Sequence, residues 1–179
     1  MQKIHFKAPN CWINDPNGFI WYKGQYHLFY QCFPYAPQWG RMHWGHAVSK
    51  DLVNWEEKGI ALYPTKTDDR SGCFSGSAVE QDGTMYLYYT GVNYLEEDPE
   101  NINHCKNDQF LSAQMMISSA DGMTFDNVHD KKTIIPSIAE DKIGSKTHTR
   151  DPKVWRGTDA WYMVPVSYTH LRAHETVLD

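Results

Sequence analysis

The strongest constraint on this chain is a unit that occurs three times: a strand, a glycine-bearing turn, and a second strand rich in aromatic residues. The first runs Asn17-Gly18-Phe19-Ile20-Trp21-Tyr22, turns at Lys23-Gly24 and returns through Tyr26-His27-Leu28-Phe29-Tyr30. The second runs Ser75-Gly76-Ser77-Ala78-Val79-Glu80, turns at Asp82-Gly83 and returns through Met85-Tyr86-Leu87-Tyr88-Tyr89. The third runs Asp151-Pro152-Lys153-Val154-Trp155, turns at Arg156-Gly157-Thr158-Asp159 and returns through Trp161-Tyr162-Met163-Val164. In each, the turn glycine supplies the positive φ that a tight hairpin requires.

The turn glycines stand at 24, 83 and 157, so the intervals are 59 and 74 residues. The longer interval holds an acidic, polar stretch, Asn93 to Gln109, that reads as an inserted loop. His43 to Ser49 and Leu111 to Ser118 supply further strands, and no long amphipathic helix is visible. A hairpin plus one or two strands, recurring at about 60 residues, is the signature of propeller blades. A meandering β-sandwich is the other architecture compatible with this periodicity. The expected fold is therefore all-β, a propeller with two complete blades and part of a third. Since propellers close with roughly four to eight blades, these residues alone are not expected to close a ring. Residues 1–166 are assigned to the propeller. Residues 167–179 lack the turn and the alternation, and are expected to be a non-native tail.

Composition excludes several partners. The net charge is −5 with no Lys/Arg cluster, so neither nucleic acid nor an anionic membrane is an expected partner. No apolar run approaches the roughly 20 residues of a membrane span, and Met1 to Phe6 has no apolar secretion signal. The four cysteines contain no Cys-x-x-Cys pair, which fits free thiols and a cytoplasmic location. Aromatic residues make up 14% of the chain, enough both to pack sheets and to offer platforms for sugar rings.

Two aspartates carry the candidate chemistry. Asp15 lies in Trp12-Ile13-Asn14-Asp15-Pro16-Asn17-Gly18. Asp-Pro-Asn-Gly is also a favoured β-turn, but Trp12 and Ile13 predict an apolar, water-poor setting suited to a nucleophilic carboxylate. Asp151 lies in His148-Thr149-Arg150-Asp151-Pro152, where the adjacent Arg150 favours the ionised carboxylate. Asp15 precedes its turn glycine by nine residues (24 − 15), Phe74 by nine (83 − 74) and Asp151 by six (157 − 151). If the first strand of each hairpin is the inner strand of its blade, these residues converge on one cavity, as a glycosidase requires. His43 and His46 form His-x-x-His, but an odd separation on a strand sends them to opposite faces, so no metal site is expected.

The blocks Trp12 to Gly18, Tyr26 to Gln31, Met42 to Ala47, Phe74 to Ser77 and Arg150-Asp151-Pro152 resemble those of glycoside hydrolase family 32, whose members include invertases, sucrose-6-phosphate hydrolases, levanases and inulinases. The resemblance runs from about Ile4 to Val164, with the sucrose-6-phosphate hydrolase type nearest. It implies a five-bladed β-propeller, of which this chain holds about the first three blades, followed by a C-terminal β-sandwich that is missing here. It implies that Asp15 is the nucleophile forming a fructosyl-enzyme and that Asp151 is the transition-state stabiliser. Asn14, Gln31, Trp39, Phe74, Ser75 and Arg150 would be substrate-binding. The implied substrate is sucrose, sucrose 6-phosphate or a fructan, with no cofactor and no metal.

The family's general acid, a Glu in a Glu-Cys context downstream of Arg-Asp-Pro, has no counterpart: only Asp159, Glu175 and Asp179 follow Asp151. The chain is therefore expected to be inactive or nearly so. A fructosyltransferase and a non-catalytic carbohydrate-binding propeller are the competing readings.

Overall fold

The computed structural model describes residues 6–7, 11–138 and 144–167, and residues 168–179 of the expected tail lie outside them. The described chain is almost entirely β, with two short 3-10 segments, Thr67–Asp69 and Lys106–Asp108. Strands β1 (Trp12–Tyr22), β2 (Gln25–Phe33), β3 (His43–Ser49) and β4 (Trp55–Leu62) pair in sequence order into one antiparallel sheet. A second four-stranded sheet has the order β5-β6-β9-β10, made from β5 (Gly72–Gln81), β6 (Thr84–Tyr94), β9 (Phe110–Ser119) and β10 (Lys132–Ile135). Between β6 and β9 lies a small hairpin of β7 (Glu97–Asp98) and β8 (Asn101–Cys105). Strands β11 (Thr149–Arg156) and β12 (Trp161–Ser167) form the third hairpin. This gives two complete blades and the opening hairpin of another.

All three expected hairpins form. Lys23 and Gly24 have φ of 47° and 83°, and Asp82 and Gly83 have 51° and 76°. Positive φ at both central residues is the type I′ pattern, whose twist matches that of the flanking strands. Gly157 of the third hairpin does not have the expected positive φ; its N–H donates to the Ala160 carbonyl at 2.8 Å. Two further local expectations differ from the structure. Asp15-Pro16-Asn17-Gly18 is not a turn but an irregular stretch inside β1, with register shifts on both sides. Asn93 to Gln109 is not a loop throughout, because β6 runs on to Tyr94 and β7 pairs with β8 across a turn in which Asp98 Oδ1 accepts the Glu100 N–H at 2.9 Å.

The first two blades share one core. Tyr22, Phe29, Trp44 and Leu62 of the first meet Ala78, Met85, Leu87, Tyr89, Met115 and Ile117 of the second. The rings of Phe29, Trp44 and Tyr89 follow one another at 6.1 Å and 6.1 Å, geometry that favours tilted and edge contacts. Two polar groups of this core are paired across the blades: Trp44 Nε1 donates to Phe74 O at 3.0 Å, and Tyr22 Oη to Gly83 O at 2.6 Å. The link between blades is secured by a desolvated ion pair, Lys131 Nζ to Asp69 Oδ2 at 2.5 Å, with both side chains 0% exposed. Asp69 also accepts from the Thr65 and Lys66 N–H groups and from Tyr89 Oη.

His43 and His46 turn to different partners. His43 Nδ1 meets Arg41 O at 2.9 Å, whereas His46 Nε2 meets His27 Nδ1 at 3.0 Å in the core. Burial pushes the His46 imidazole down to about 3, and the adjacent His27 and Lys58 reinforce it. A folded-state pKa below the unfolded value of about 6.5 gives stability that is present above that value and lost as pH falls towards 3. At about 1.4 kcal/mol per pKa unit, His46 is expected to account for about 2 kcal/mol of stability lost between pH 7 and pH 5. Urea unfolding at the two pH values should show that difference shrinking in His46→Phe; an unchanged difference would rule the assignment out.

Candidate active site

The residues of interest sit at three strand irregularities, one in the first strand of each hairpin. In β1, Ile13 pairs with Cys32 and Pro16 with Tyr30, so Asn14 and Asp15 face Gln31 alone. In β5, Phe74 pairs with Thr90 and Gly76 with Tyr89, leaving Ser75 with no opposite residue. In β11, Arg150 pairs with Val166 and Lys153 with Val164, so Asp151 and Pro152 face Pro165 alone. A bulge bends its strand and re-aims a side chain, and bulges concentrate beside active sites. Because β5 packs against both β1 and β11, the three bulges are brought together.

Gly76 shows why the second bulge needs its glycine. A Cβ there would stand 1.9 Å from the Tyr88 carbonyl oxygen. The close approach also lets the Gly76 N–H reach Asn17 Oδ1 at 3.2 Å, tying β5 to β1.

At the meeting point, Ser75 Oγ donates to Asp15 Oδ2 at 2.6 Å. Asp151 adopts a left-handed backbone, φ 59°. Its carboxyl is pushed above the ordinary range, first by burial and then by the negative charge of Asp15, while Arg150 opposes the rise. The two carboxylates are thus in electrostatic reach of each other. Arg150 Nε lies 3.8 Å from Asp151 Oδ2. Beside them Asn14 Nδ2 donates to Gln31 Oε1 at 2.5 Å, and Trp12 Nε1 to Asn14 Oδ1 at 3.0 Å. The Trp39 ring stands edge-on to Phe74 at 6.3 Å and against His104 at 5.0 Å. Phe74 in turn meets Phe110 at 6.1 Å.

One expectation about Asp15 is overturned. The side chain is exposed rather than buried, because the buried part of β1 begins only at Asn17 and Trp12 is itself 37% exposed. What fixes the carboxylate is the Ser75 hydroxyl, not an apolar enclosure. A cleft of about 580 Å³ lined by Phe33, Tyr35, Arg41, His43, Tyr63 and Arg70, among others, includes neither aspartate.

Two carboxylates, a hydroxyl, an amide pair and an aromatic wall form a set suited to holding a sugar and stabilising positive charge on its ring. The model of the glycosyl hydrolases family 32 N-terminal domain matches residues 5–178. The chain belongs to glycosyl hydrolase family 32. Among family 32 relatives, it is 44% identical over 176 residues to a sucrose-6-phosphate hydrolase of Zymomonas mobilis, covering 97% of this chain and 31% of that protein. It is 40% identical over 162 residues to a raffinose invertase of Escherichia coli, covering 90% of this chain and 31% of that protein. The solved family 32 β-fructofuranosidase of Bombyx mori matches with a TM-score of 0.74 and 37% identity, covering 92% of this chain and 32% of that one. The chain therefore spans about a third of the length of the relatives it matches, and its two blades and third hairpin are part of a propeller.

Some residues of the site region escaped the sequence. His104 reaches Trp39 from the β7–β8 hairpin, and no local pattern marked that stretch as returning to the site. Ser77, Thr90 and Gln114 are buried polar residues of β5, β6 and β9, and their burial shows only in the folded chain.

Proposed function

We propose that this chain forms the fructosyl-binding part of a retaining β-fructofuranosidase acting on sucrose or sucrose 6-phosphate. The observation that carries the reading is the Ser75-held carboxylate of Asp15 at the bulge of β1, with Asp151 at the bulge of β11 and β5 packed against both strands. With Oδ2 engaged by Ser75, Asp15 has Oδ1 to attack the anomeric carbon of fructose, forming a fructosyl ester. Charge developing on the ring oxygen and anomeric carbon is met by ionised Asp151, which also accepts hydrogen bonds from ring hydroxyls. Trp39 and Phe74 supply the apolar wall, and Asn14, Gln31 and Arg150 the polar contacts. The similarity to sucrose-6-phosphate hydrolases and an invertase supports this substrate class.

Departure of the glucosyl group needs a proton, and water must later be activated by a base. Asp159 does not supply either, because it sits in the β11–β12 turn and accepts from Tyr162 Oη at 3.1 Å. The 179-residue chain is accordingly expected to turn over sucrose about 10²–10⁴-fold more slowly than an enzyme with its acid in place, before any effect of an unclosed ring. Hydrolysis at the rate of a complete relative would refute this.

The reading is tested by completing the chain to the length of its relatives and analysing products from sucrose with methanol present. Methyl β-fructofuranoside alongside fructose is expected from a retained fructosyl intermediate. An inverted product, or sugar binding with no turnover, would overturn it. In the same protein Asp151 must be ionised, so the acid limb of kcat/KM should fall above the ordinary carboxylate value of about 3.9. A limb at or below that value would contradict the role. The sign for stability is opposite to that of His46: a carboxyl raised in the folded state stabilises below its unfolded pKa, and that contribution is lost as pH rises through its folded value.

A further inference from the structure

The bulge that presents Asp151 leaves backbone groups that β12 cannot satisfy. The residue opposite is Pro165, which has no N–H to offer, and a residue before proline is disfavoured in helical backbone regions. Asp151 nevertheless holds φ 59°, a left-handed conformation that Asp tolerates better than most residues but that is uncommon inside a strand. The second blade imposes it. The Asp151 N–H donates to Thr90 Oγ1 at 2.9 Å. The Pro152 carbonyl accepts from Ser77 Oγ at 2.8 Å, and the same Ser77 oxygen accepts the Val154 N–H at 3.0 Å. Thr90 Oγ1 donates to Gln114 Oε1 at 2.9 Å, and Gln114 Nε2 donates to the Thr149 carbonyl at 2.8 Å.

The direction of each bond is set by its neighbours. The single hydroxyl proton of Thr90 goes to Gln114, so a Thr90 lone pair faces the Asp151 N–H. The Gln114 amide group faces a carbonyl, which fixes its orientation. Ser77, Thr90 and Gln114 are 6%, 0% and 1% exposed, so water does not compete for these bonds. They come one each from β5, β6 and β9, and together they span both sides of the bulge, from Thr149 to Val154.

We infer that Ser77, Thr90 and Gln114 are positioning residues, a clamp from the second blade that locks the Asp151–Pro152 bulge and holds the Asp151 carboxylate beside Asp15. They touch no reacting group themselves. Their purpose rests on the reading of Asp151 as the charge-stabilising carboxylate; the clamp itself rests on geometry alone. The charged groups that face Asp151 are Arg150 on its own strand and Asp15 on β1.

The test follows the side-chain carboxyl carbons of Asp15 and Asp151 by NMR through a pH titration of the isotopically labelled 179-residue chain. In the unmodified chain Asp151 should titrate above an ordinary aspartate, and Asp15→Asn should lower its midpoint. Thr90→Val, similar in shape but without the acceptor, should bring Asp151 to the ordinary midpoint and abolish its response to Asp15→Asn. Other carboxyls should be unmoved, and Thr90→Ser should restore both features. A core residue with no positioning role would cost stability and leave the Asp151 titration intact, and that result overturns the inference, as does a Thr90→Ser chain that behaves like Thr90→Val. Should Thr90→Val not fold, amide exchange in the unmodified chain decides. The Asp151 N–H is expected to be protected despite lacking a strand partner, and exchange at the rate of an open amide would refute the clamp. No turnover enters these measurements, so the clamp and the glycosidase reading can fail separately.

Discussion

Replacing Asp15 with Asn, in the chain completed to the length of its relatives, is expected to lower kcat by a factor on the order of 10⁴–10⁶. That is the scale of loss when a nucleophile working in concert with its partners is removed. The amide still accepts the Ser75 hydrogen bond and occupies the same volume, so binding and folding should change little, and the loss should fall on kcat rather than KM. On the proposed reading Asp15 carries the bond-forming step, whereas the surrounding groups act through orientation and charge. Steady-state kinetics on sucrose would check it. A variant that keeps more than about a tenth of kcat would assign the chemistry to another residue, because so small a loss is the scale of a supporting contact and not of a nucleophile. A carbohydrate-binding propeller is separated by the same experiment, since it would retain affinity with no turnover to lose.

The second large effect is on stability. Lys131→Met is expected to destabilise the chain by about 3–5 kcal/mol, because Asp69 would remain buried and charged without its cation. Asp69 accepts from two backbone N–H groups and the Tyr89 hydroxyl, so those donors would still hold it in place while its charge went uncompensated. Set against typical totals of about 5–15 kcal/mol, such a loss takes much or all of the folding free energy. Replacing both partners with apolar residues, Asp69→Leu with Lys131→Met, should recover part of it, since a buried pair is far costlier to break than to remove. Urea unfolding of the two single variants and the double variant measures the coupling. A double variant whose loss equals the sum of the single losses would show that the pair does not act as a unit.

How far the fold could be read depended on where its signals lay. The hairpins were legible because Lys23-Gly24 and Asp82-Gly83 state their turn type locally, through positive φ at both central positions. The strand β3 was legible from His43 to Ser49 because short strands between turns leave few alternatives. Register was not. The extra residues at Asn14-Asp15, Ser75 and Asp151-Pro152 depend on which partner strand each meets, and a single strand's pattern does not encode that. The Asp-Pro-Asn-Gly segment illustrates the limit: its residues favour a turn, but pairing with β2 and the contact to Gly76 keep it in an irregular strand.

The candidate site divides in the same way. Asp15 and Asp151 could be singled out by motif and by their distance from the turn glycines, but the Ser75 bond to Asp15 spans 60 positions and is a product of the tertiary fold. The expected shelter around Asp15 failed because Trp12 and Ile13 precede the buried part of β1 instead of covering the carboxylate. His104 and the Asp69–Lys131 pair had no local signature at all: one arrives from an inserted hairpin, and the other joins positions 62 apart.

The most direct measurement exposes the 179-residue chain to β-fructofuranosyl fluoride, whose leaving group departs without a proton donor, and maps any adduct by peptide mass spectrometry. A single fructosyl group on the peptide containing Asp15, absent after Asp15→Asn and strongly reduced after Asp151→Asn, is the expected result. No adduct under conditions where the chain is folded, or an adduct on a peptide without Asp15, would contradict the claim that these two carboxylates serve one fructose.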